Sequence, residues 1–442
     1  MSGDARSASP NGTPEGPPDR DLERHVWRRT LVSAWFAQIC AMIGFSFVMP
    51  FLRFYLRDDL GVAEDSSRAY WSAFIMSAPA FLLGLAAPLW GMLADRVGRK
   101  PMVMRAMFAG SVIVWLMGYA TSPVHLLMLR FAQGAFTGTM TASAALVASV
   151  SPSDRAGFSL GLMQAAVFAG NAAGTLLGGM VSDAWGARTA FMVAGTFLLA
   201  GGVVVTLFAE EGGNHPREAR LAGAEGSHHG LRDVLRNPVF ITIIGLMLMM
   251  NFSRGFPNAI FQEYVELFVA EKEKVNTTVG LLQSVTFIVA GVASVAMGRL
   301  ADRVGHGPLV VAGTILSGAL CIPQTWIATL PGLFALRVTI GIASGMIGPA
   351  MGRFIHNTIP RASHGKAFGL VQSASAAGWA FGPLSGGLMN AVLIAPYGAV
   401  AALRLPFAAS GVLQILAGLG AWYLIARSAR AMPAAPDPES GG

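Results

Sequence analysis

Apolar runs of twenty or so residues follow one another along this chain from about residue 29 to about residue 427. That pattern leaves few folds open. A segment needs about 20 apolar residues to cross the hydrocarbon core of a bilayer. Backbone left unpaired in lipid is too costly, so such runs read as helices. The balance of residues agrees: 53% of the 442 are hydrophobic and only 12% charged, where a soluble domain carries about 25% charged. The mean hydropathy is +0.54. Alternating ten-residue strands, the mark of a membrane β-barrel, are not seen. The chain reads as an all-α membrane protein.

The stretch Gly91-Met92-Leu93-Ala94-Asp95-Arg96-Val97-Gly98-Arg99-Lys100 lies between two of the runs. A second copy, Gly298-Arg299-Leu300-Ala301-Asp302-Arg303-Val304-Gly305, begins 207 residues later. The repeat extends further. Arg130 recurs as Arg337, Pro152 as Pro360, and Gly161-Leu162-Met163-Gln164 as Gly369-Leu370-Val371-Gln372. Gly170, Gly174, Gly178 and Gly179 recur as Gly378, Gly382, Gly386 and Gly387. Two similar six-helix halves follow, the parallel-repeat plan in which a substrate site sits between halves near the midplane.

The twelve spans fall at about 29–52, 70–94, 102–120, 124–149, 156–182, 188–208, 239–268, 277–300, 308–328, 331–355, 364–390 and 400–427. The organisation expected is a disordered tail at 1–26, one bundle at 27–208, a linker at 209–237, a second bundle at 238–427 and a disordered tail at 428–442. Leu231 to Pro238 reads as a short amphipathic helix on the membrane surface. Cations set the orientation. With both termini inside, 21 of the 31 Lys and Arg face the cytoplasm and 7 the outside. The net charge of +7 therefore marks one side of a membrane and does not indicate a nucleic-acid partner.

These residues carry a resemblance. Gly91–Lys100 resembles motif A of the major facilitator superfamily, and Arg130-Phe131-Ala132-Gln133-Gly134 resembles the motif B arginine of its fourth helix. Gly378-Trp379-Ala380-Phe381-Gly382-Pro383-Leu384-Ser385-Gly386-Gly387 fits the antiporter pattern GxxxGPxxGG, here on helix 11, whereas the family carries it on helix 5. Helix 5 keeps the glycines and has Thr175 where the proline would stand. Phe45 to Leu52 and Tyr70-Trp71-Ser72 are similar to the MdtG-like branch of twelve-span drug:proton antiporters. The resemblance implies a transporter fold of two pseudo-symmetric six-helix bundles in the plasma (inner) membrane.

Each constellation has a functional and a plain reading. The hairpin residues Gly91, Asp95, Arg96, Gly98, Arg99, Lys100, Gly298, Asp302, Arg303 and Gly305 read as a gate. Glycine supplies the turn, and a carboxylate can face the N–H groups at the start of a helix from the other half. In the family Asp95 would meet the start of helix 11, near Ser363; Asp302 would meet the start of helix 5, near Ser153. The plain reading is a positive loop that sets topology. An arginine within a span costs about 2.5–3.5 kcal/mol, so Arg130 and Arg337 either face a wet cavity or snorkel. The resemblance places Arg130 in proton coupling. Gly170, Gly174, Gly178, Gly378, Gly382, Pro383 and Gly386 read as close helix packing, or as a seam between the halves.

Helix 1 offers Gln38 and no carboxylate. The acids nearest a span interior are Glu263 and Glu266 on helix 7, three apart and so on one face. Arg53 on helix 1 is expected to pair with one of them when the outer gate is shut, so that protonation would loosen it; the plain reading is solvated charges at a helix end. The cavity is expected to draw on Trp35, Gln38, Met42 and Phe45 of helix 1, and on Met250, Asn251 and Arg254 of helix 7. Gln164, Asn171, Gln283, Gln372 and Trp379 add uncharged polar positions. Adaptable Met and broad aromatics suit a bulky amphiphile, although any one of them is as readily core. Arg254 either favours an anionic ligand or pairs with an acid. No cluster of histidines marks a metal, and no Walker loop marks ATP.

The function expected is proton-driven efflux of lipophilic or amphiphilic compounds by a monomer that uses no cofactor. Its partners are a small-molecule substrate, protons and the lipid bilayer. The alternatives are a same-fold carrier or flippase for a defined sugar, metabolite or glycolipid, and a receptor or scaffold that does not transport.

Overall fold

The computed structural model describes residues 20–152, 155–211, 238–348 and 364–431, which are helical with no strand among them. The amphipathic segment expected at 231–238 lies almost wholly outside them, as do most of both tails, Ser153 and Ser363. The helices are α1 (Arg20–Ser46), α2 (Asp65–Val97), α3 (Arg99–Met117), α4 (Pro123–Phe136), α5 (Thr139–Val150) and α6 (Ala156–Phe208). After the linker come α7 (Pro238–Gly255), α8 (Phe261–Glu266), α9 (Val275–Val304), α10 (His306–Cys321), α11 (Leu330–Gly345), α12 (His364–Tyr397) and α13 (Ala399–Ala431).

Among the described residues, eight helical stretches are long and apolar enough to cross a membrane. One, Gly157–Phe208, has 52 residues. A straight helix of that length would span about 78 Å, against roughly 30 Å of hydrocarbon. It folds back at Gly186, where φ is 83°, and so crosses twice. α1, the α4–α5 pair and α11 complete twelve crossings. Tight turns stand at matching places in the two halves: Gly98 (φ 105°) with Gly305 (φ 97°), and Gly186 with Gly398 (φ 79°). Positive φ at all four explains the glycines.

Three spans depart from simple rods. The first ends at Ser46, and the chain turns before a short π-helical segment, Tyr55–Asp59. The seventh breaks into a 3-10 turn, Phe256–Ala259, ahead of α8. The fourth, expected as one helix over 124–149, breaks at Gly138 (φ 109°). Carbonyls freed by that break find donors: Trp90 Nε1 donates to Ala135 O (2.6 Å), and Arg105 Nη2 to Thr137 O (3.3 Å). The Arg105 guanidinium also lies 3.6 Å over the Trp90 ring.

Each half buries its own aromatic core. Phe51 and Tyr55 set their rings against Phe191 at 5.3 and 5.1 Å; in the other half Tyr264 packs on Phe407 at 4.4 Å. Phe54 crosses over and joins the cluster of Phe261, Tyr264 and Phe407. Arg29 pairs with Glu210 at 2.7 Å, so the first crossing starts beside the linker. This rim is called the linker rim below, and the opposite one the far rim.

Candidate functional site

At the far rim the two halves are joined by charge. Arg53, 1% exposed, sets Nη2 3.0 Å from Glu263 Oε2 and 3.5 Å from Asn390 Oδ1. Arg68 Nε reaches the other oxygen of Glu263 at 3.0 Å. Arg68 is itself fixed by Asp65 and by the carbonyls of Val62 and Ala63. Glu266 lies 3.2 Å from Arg57 Nη1. Hydrogen bonding to Asp58, then to Glu266, holds the Arg57 guanidinium above its ordinary value, against the desolvation that opposes it. One carboxylate therefore bridges two guanidinium groups of the opposite half, and its neighbour holds a third.

Backbone contacts reinforce that rim. Gln262 Oε1 accepts from Arg53 N (2.7 Å), and its amide donates to Met49 O. Ser72 Oγ donates to Ala259 O at 3.3 Å. Asp183 accepts from Thr277 N (2.7 Å) at the start of α9, where free N–H groups favour an anion. An acid of one half thus caps a helix of the other, the arrangement expected of Asp95 and Asp302, but at the opposite rim.

The glycine series divides in a way that its spacing does not announce. Gly170, Gly174 and Gly178 admit Ile39, Met42, Ile43 and Phe47 of their own half. Gly378, Gly382 and Gly386 admit Leu248, Asn251, Phe252 and Phe256 of theirs, and Pro383 sits against Gly255. The reading of these seven as a seam between halves is therefore corrected: in this structure they close helix pairs within each bundle. The crossing contacts belong to the next residue along. Gly179 meets Asn276 and Thr277, and Gly387 meets Ala69 and Ala73. One residue is about 100° of helix turn, which carries the fourth glycine from its own bundle to the other.

At the linker rim, Gly98 and Gly305 take the expected turns, and Gly91, Arg96 and Arg303 are exposed. Gly298 lies within α9. Arg99 N donates to Glu211, Arg99 Nη1 to Ala145 O (3.0 Å), and Lys100 Nζ to Thr206 O (3.0 Å). These contacts of the first hairpin stay within its own half and the start of the linker. The side chains of Asp95 and Asp302 lie outside the described residues.

Of the residues expected at the cavity, Gln164, Gln372 and Trp379 are exposed, and Trp35, Met42, Phe45, Asn171, Arg254 and Gln283 are partly buried. Asn171 bonds Ser46, and Phe45 lies alongside Gly110. Gln38 (0% exposed), Met250 (3%) and Asn251 (8%) are buried, which corrects their assignment to a solvent-lined wall. Thr314 donates to Met250 sulfur at 3.9 Å, and Asn251 Nδ2 to Met247 O at 2.9 Å, both within the second half. Both amide atoms of Gln38 and the Trp35 Nε1 are buried without a partner. Arg130 is 5% exposed and donates to Gln133 Oε1 at 3.0 Å.

Sequence reasoning assigned no role across the boundary to Arg68, Gln262 or Asp183, and it named Gly179 and Gly387 only as members of the repeat. Arg68 entered only as one of the cations counted on the outer side. The off-by-one register of the glycine doublets could have pointed to the two glycines.

Comparison with known proteins agrees with this architecture. The model of the family described as "Major Facilitator Superfamily" matches residues 34–276 and 267–441. The "Multidrug resistance protein MdtG" of Klebsiella pneumoniae (strain 342) is 31% identical over 370 residues, covering 83% of this chain and 88% of that protein. The protein of the same name from Citrobacter koseri is 29% identical over 369 residues, covering 83% and 89%. Among solved structures, a bacterial homolog of the human lysosomal transporter Spinster, inward-facing and occupied, superposes with a TM-score of 0.73. It is 15% identical and covers 93% of this chain and 98% of that one.

Proposed function

Because this chain belongs to the major facilitator superfamily, and is a multi-pass membrane transporter with no enzyme's role, we propose that it exports lipophilic or amphiphilic compounds in exchange for protons. The far rim faces the outside of a bacterial-type inner membrane, with both termini in the cytoplasm. The observation that carries this reading is Glu263, held between Arg53 and Arg68 of the other half. Two like charges share one carboxylate there. Protonating it removes the attraction and leaves the two cations to repel each other across the rim. A buried pair that loses one partner is destabilised by about 3–5 kcal/mol, enough to move a balance between two states of similar energy. Alternating access follows from the pseudo-symmetry of the halves. The state described is closed outside, and the first hairpin rests against its own half.

The multidrug proteins that this chain is similar to support export of drug-like compounds. The test is twofold. Deleting the gene should raise susceptibility to several unrelated amphiphiles. Purified protein in vesicles should move protons when such a compound is added, and E263Q should not. Full proton coupling in E263Q and E266Q, separately and together, would overturn the coupling; unchanged susceptibility across a broad panel would overturn the substrate class.

A further inference from the structure

A groove on the outer surface of the first half, at the linker rim, ends on a charge. Its volume is about 480 Å³, and it is lined by Ala86, Leu89, Trp90, Met92, Leu93 and Arg96 of α2, with Ala135 of α4 beside them. The face of α2 that meets the second half is marked by Ala69 and Ala73, which touch Gly387. Phe81, Leu85, Leu89 and Met92 stand about 80–160° round the helix from Ala73, at about 100° per residue. All four are exposed. Large apolar side chains exposed along a membrane-spanning helix face lipid, so the groove opens to the bilayer and away from the contact with α12.

Its depth fits one leaflet. From Ala86 to Arg96 the helix rises about 15 Å, half of a hydrocarbon core of about 30 Å. Arg96, in the last turn of α2, is exposed and so stands at the level of the headgroups. The other hairpin cations are used within the protein: Arg99 donates to Ala145 O and Lys100 to Thr206 O. Among the described residues no acid pairs with Arg96. Trp90, at the back of the groove, donates from Nε1 to Ala135 O at 2.6 Å, and its ring lies 3.6 Å from the Arg105 guanidinium.

We propose that this groove binds one anionic phospholipid of the leaflet at the linker rim, with an acyl chain along Leu89, Trp90 and Leu93 and the phosphate at Arg96. An apolar trough one leaflet deep suits a chain, and a cation at its mouth selects a negative headgroup. A chain in this place holds Trp90 against α4 and so braces the break at Gly138. The site depends neither on the compound carried nor on protons, so its test stands apart from that of export.

The full chain is placed in phosphatidylcholine nanodiscs with rising fractions of brominated phosphatidylglycerol or brominated phosphatidylcholine, whose chains quench tryptophan. The Trp90 signal is the difference between wild type and W90F. Phosphatidylglycerol should half-quench it at about fivefold lower mole fraction, the worth of one basic side chain at an anionic surface. R96Q should bring the two lipids level and leave quenching by phosphatidylcholine as it was, which also reports an intact fold. R96K should keep the preference. R28Q, which removes an exposed cation of α1 at the same rim, should also keep it. Amide exchange at residues 137–142 should slow with phosphatidylglycerol in the wild type and not in R96Q. Equal quenching by the two lipids in the wild type, or a preference lost as fully in R28Q as in R96Q, overturns the site. Exchange indifferent to the lipid overturns the brace.

Discussion

Among the described residues, the charges at the two rims of this transporter are of the same kinds and are used differently. At the far rim, arginines of the first half reach acids of the second, and Asp183 caps α9 across the boundary. At the linker rim the first hairpin has as many cations, but Arg99 and Lys100 bond Glu211, Ala145 and Thr206, all in the first half or the start of the linker. Charge alone does not make a gate. A charge ties two bodies only when its partner belongs to the other body. The difference also says which charges matter to the balance between states: those whose neutralisation releases a cross-boundary contact.

The contrast can be broken most strongly at Glu263. E263Q should open the far rim, with loss of proton-driven transport. On the scale for unpairing a buried charge, about 3–5 kcal/mol, spin-label distances between Gly61 and Glu271 sites should shift to the open population. Next comes the glycine register. A side chain at Gly179 would overlap the backbone of Asn276, and one at Gly178 that of Phe47. Overpacking costs typically about 1–3 kcal/mol. G179A should therefore populate the outward-open state at little cost in Tm, and G178A should lower Tm with the conformational balance held. Equal behaviour of the two would erase the distinction drawn between them. Smaller still is E266Q, because Arg57 is half-exposed; about 0–1 kcal/mol is the range for such pairs, and the effect should vanish in high salt. The smallest is E211Q at the linker rim. It leaves an amide oxygen that can still accept from Arg99 N and removes only the charge at the start of α3, so it should cost about 0.3–1 kcal/mol of stability, with transport retained.

Much of this was legible beforehand, for physical reasons. Twelve crossings follow from apolar length, and the duplicated halves from one offset. Arg53 could be matched to the pair Glu263 and Glu266, because an arginine ends one helix where two acids on one face end its pseudo-equivalent; that the partner is Glu263 was not legible. What escaped notice depended on rotation or on backbone. Gly170, Gly174 and Gly178 share a face with one another, and nothing in a spacing of four says which neighbour that face meets. Met250 and Asn251 sit at helical spacing from Arg254, yet close contact at Gly378 turns Asn251 inward. Arg68 gains its role from the carbonyls of Val62 and Ala63, which fix it on Glu263, and a bend of that kind has no signature in residue type. The break at Gly138 was hidden because glycine is common within membrane helices.

That break has a mechanical meaning. Two stiff rods joined by a single left-handed residue can change their mutual angle without stretching any hydrogen bond, since the loosened carbonyls of Ala135 and Thr137 are already held sideways by Trp90 and Arg105. The rod bearing Arg130 can keep its depth and tilt while the other swings with the hairpin at the linker rim, whose Arg99 bonds Ala145 O. In such a linkage the motion is admitted at an elbow, and the buried cation above it stays put.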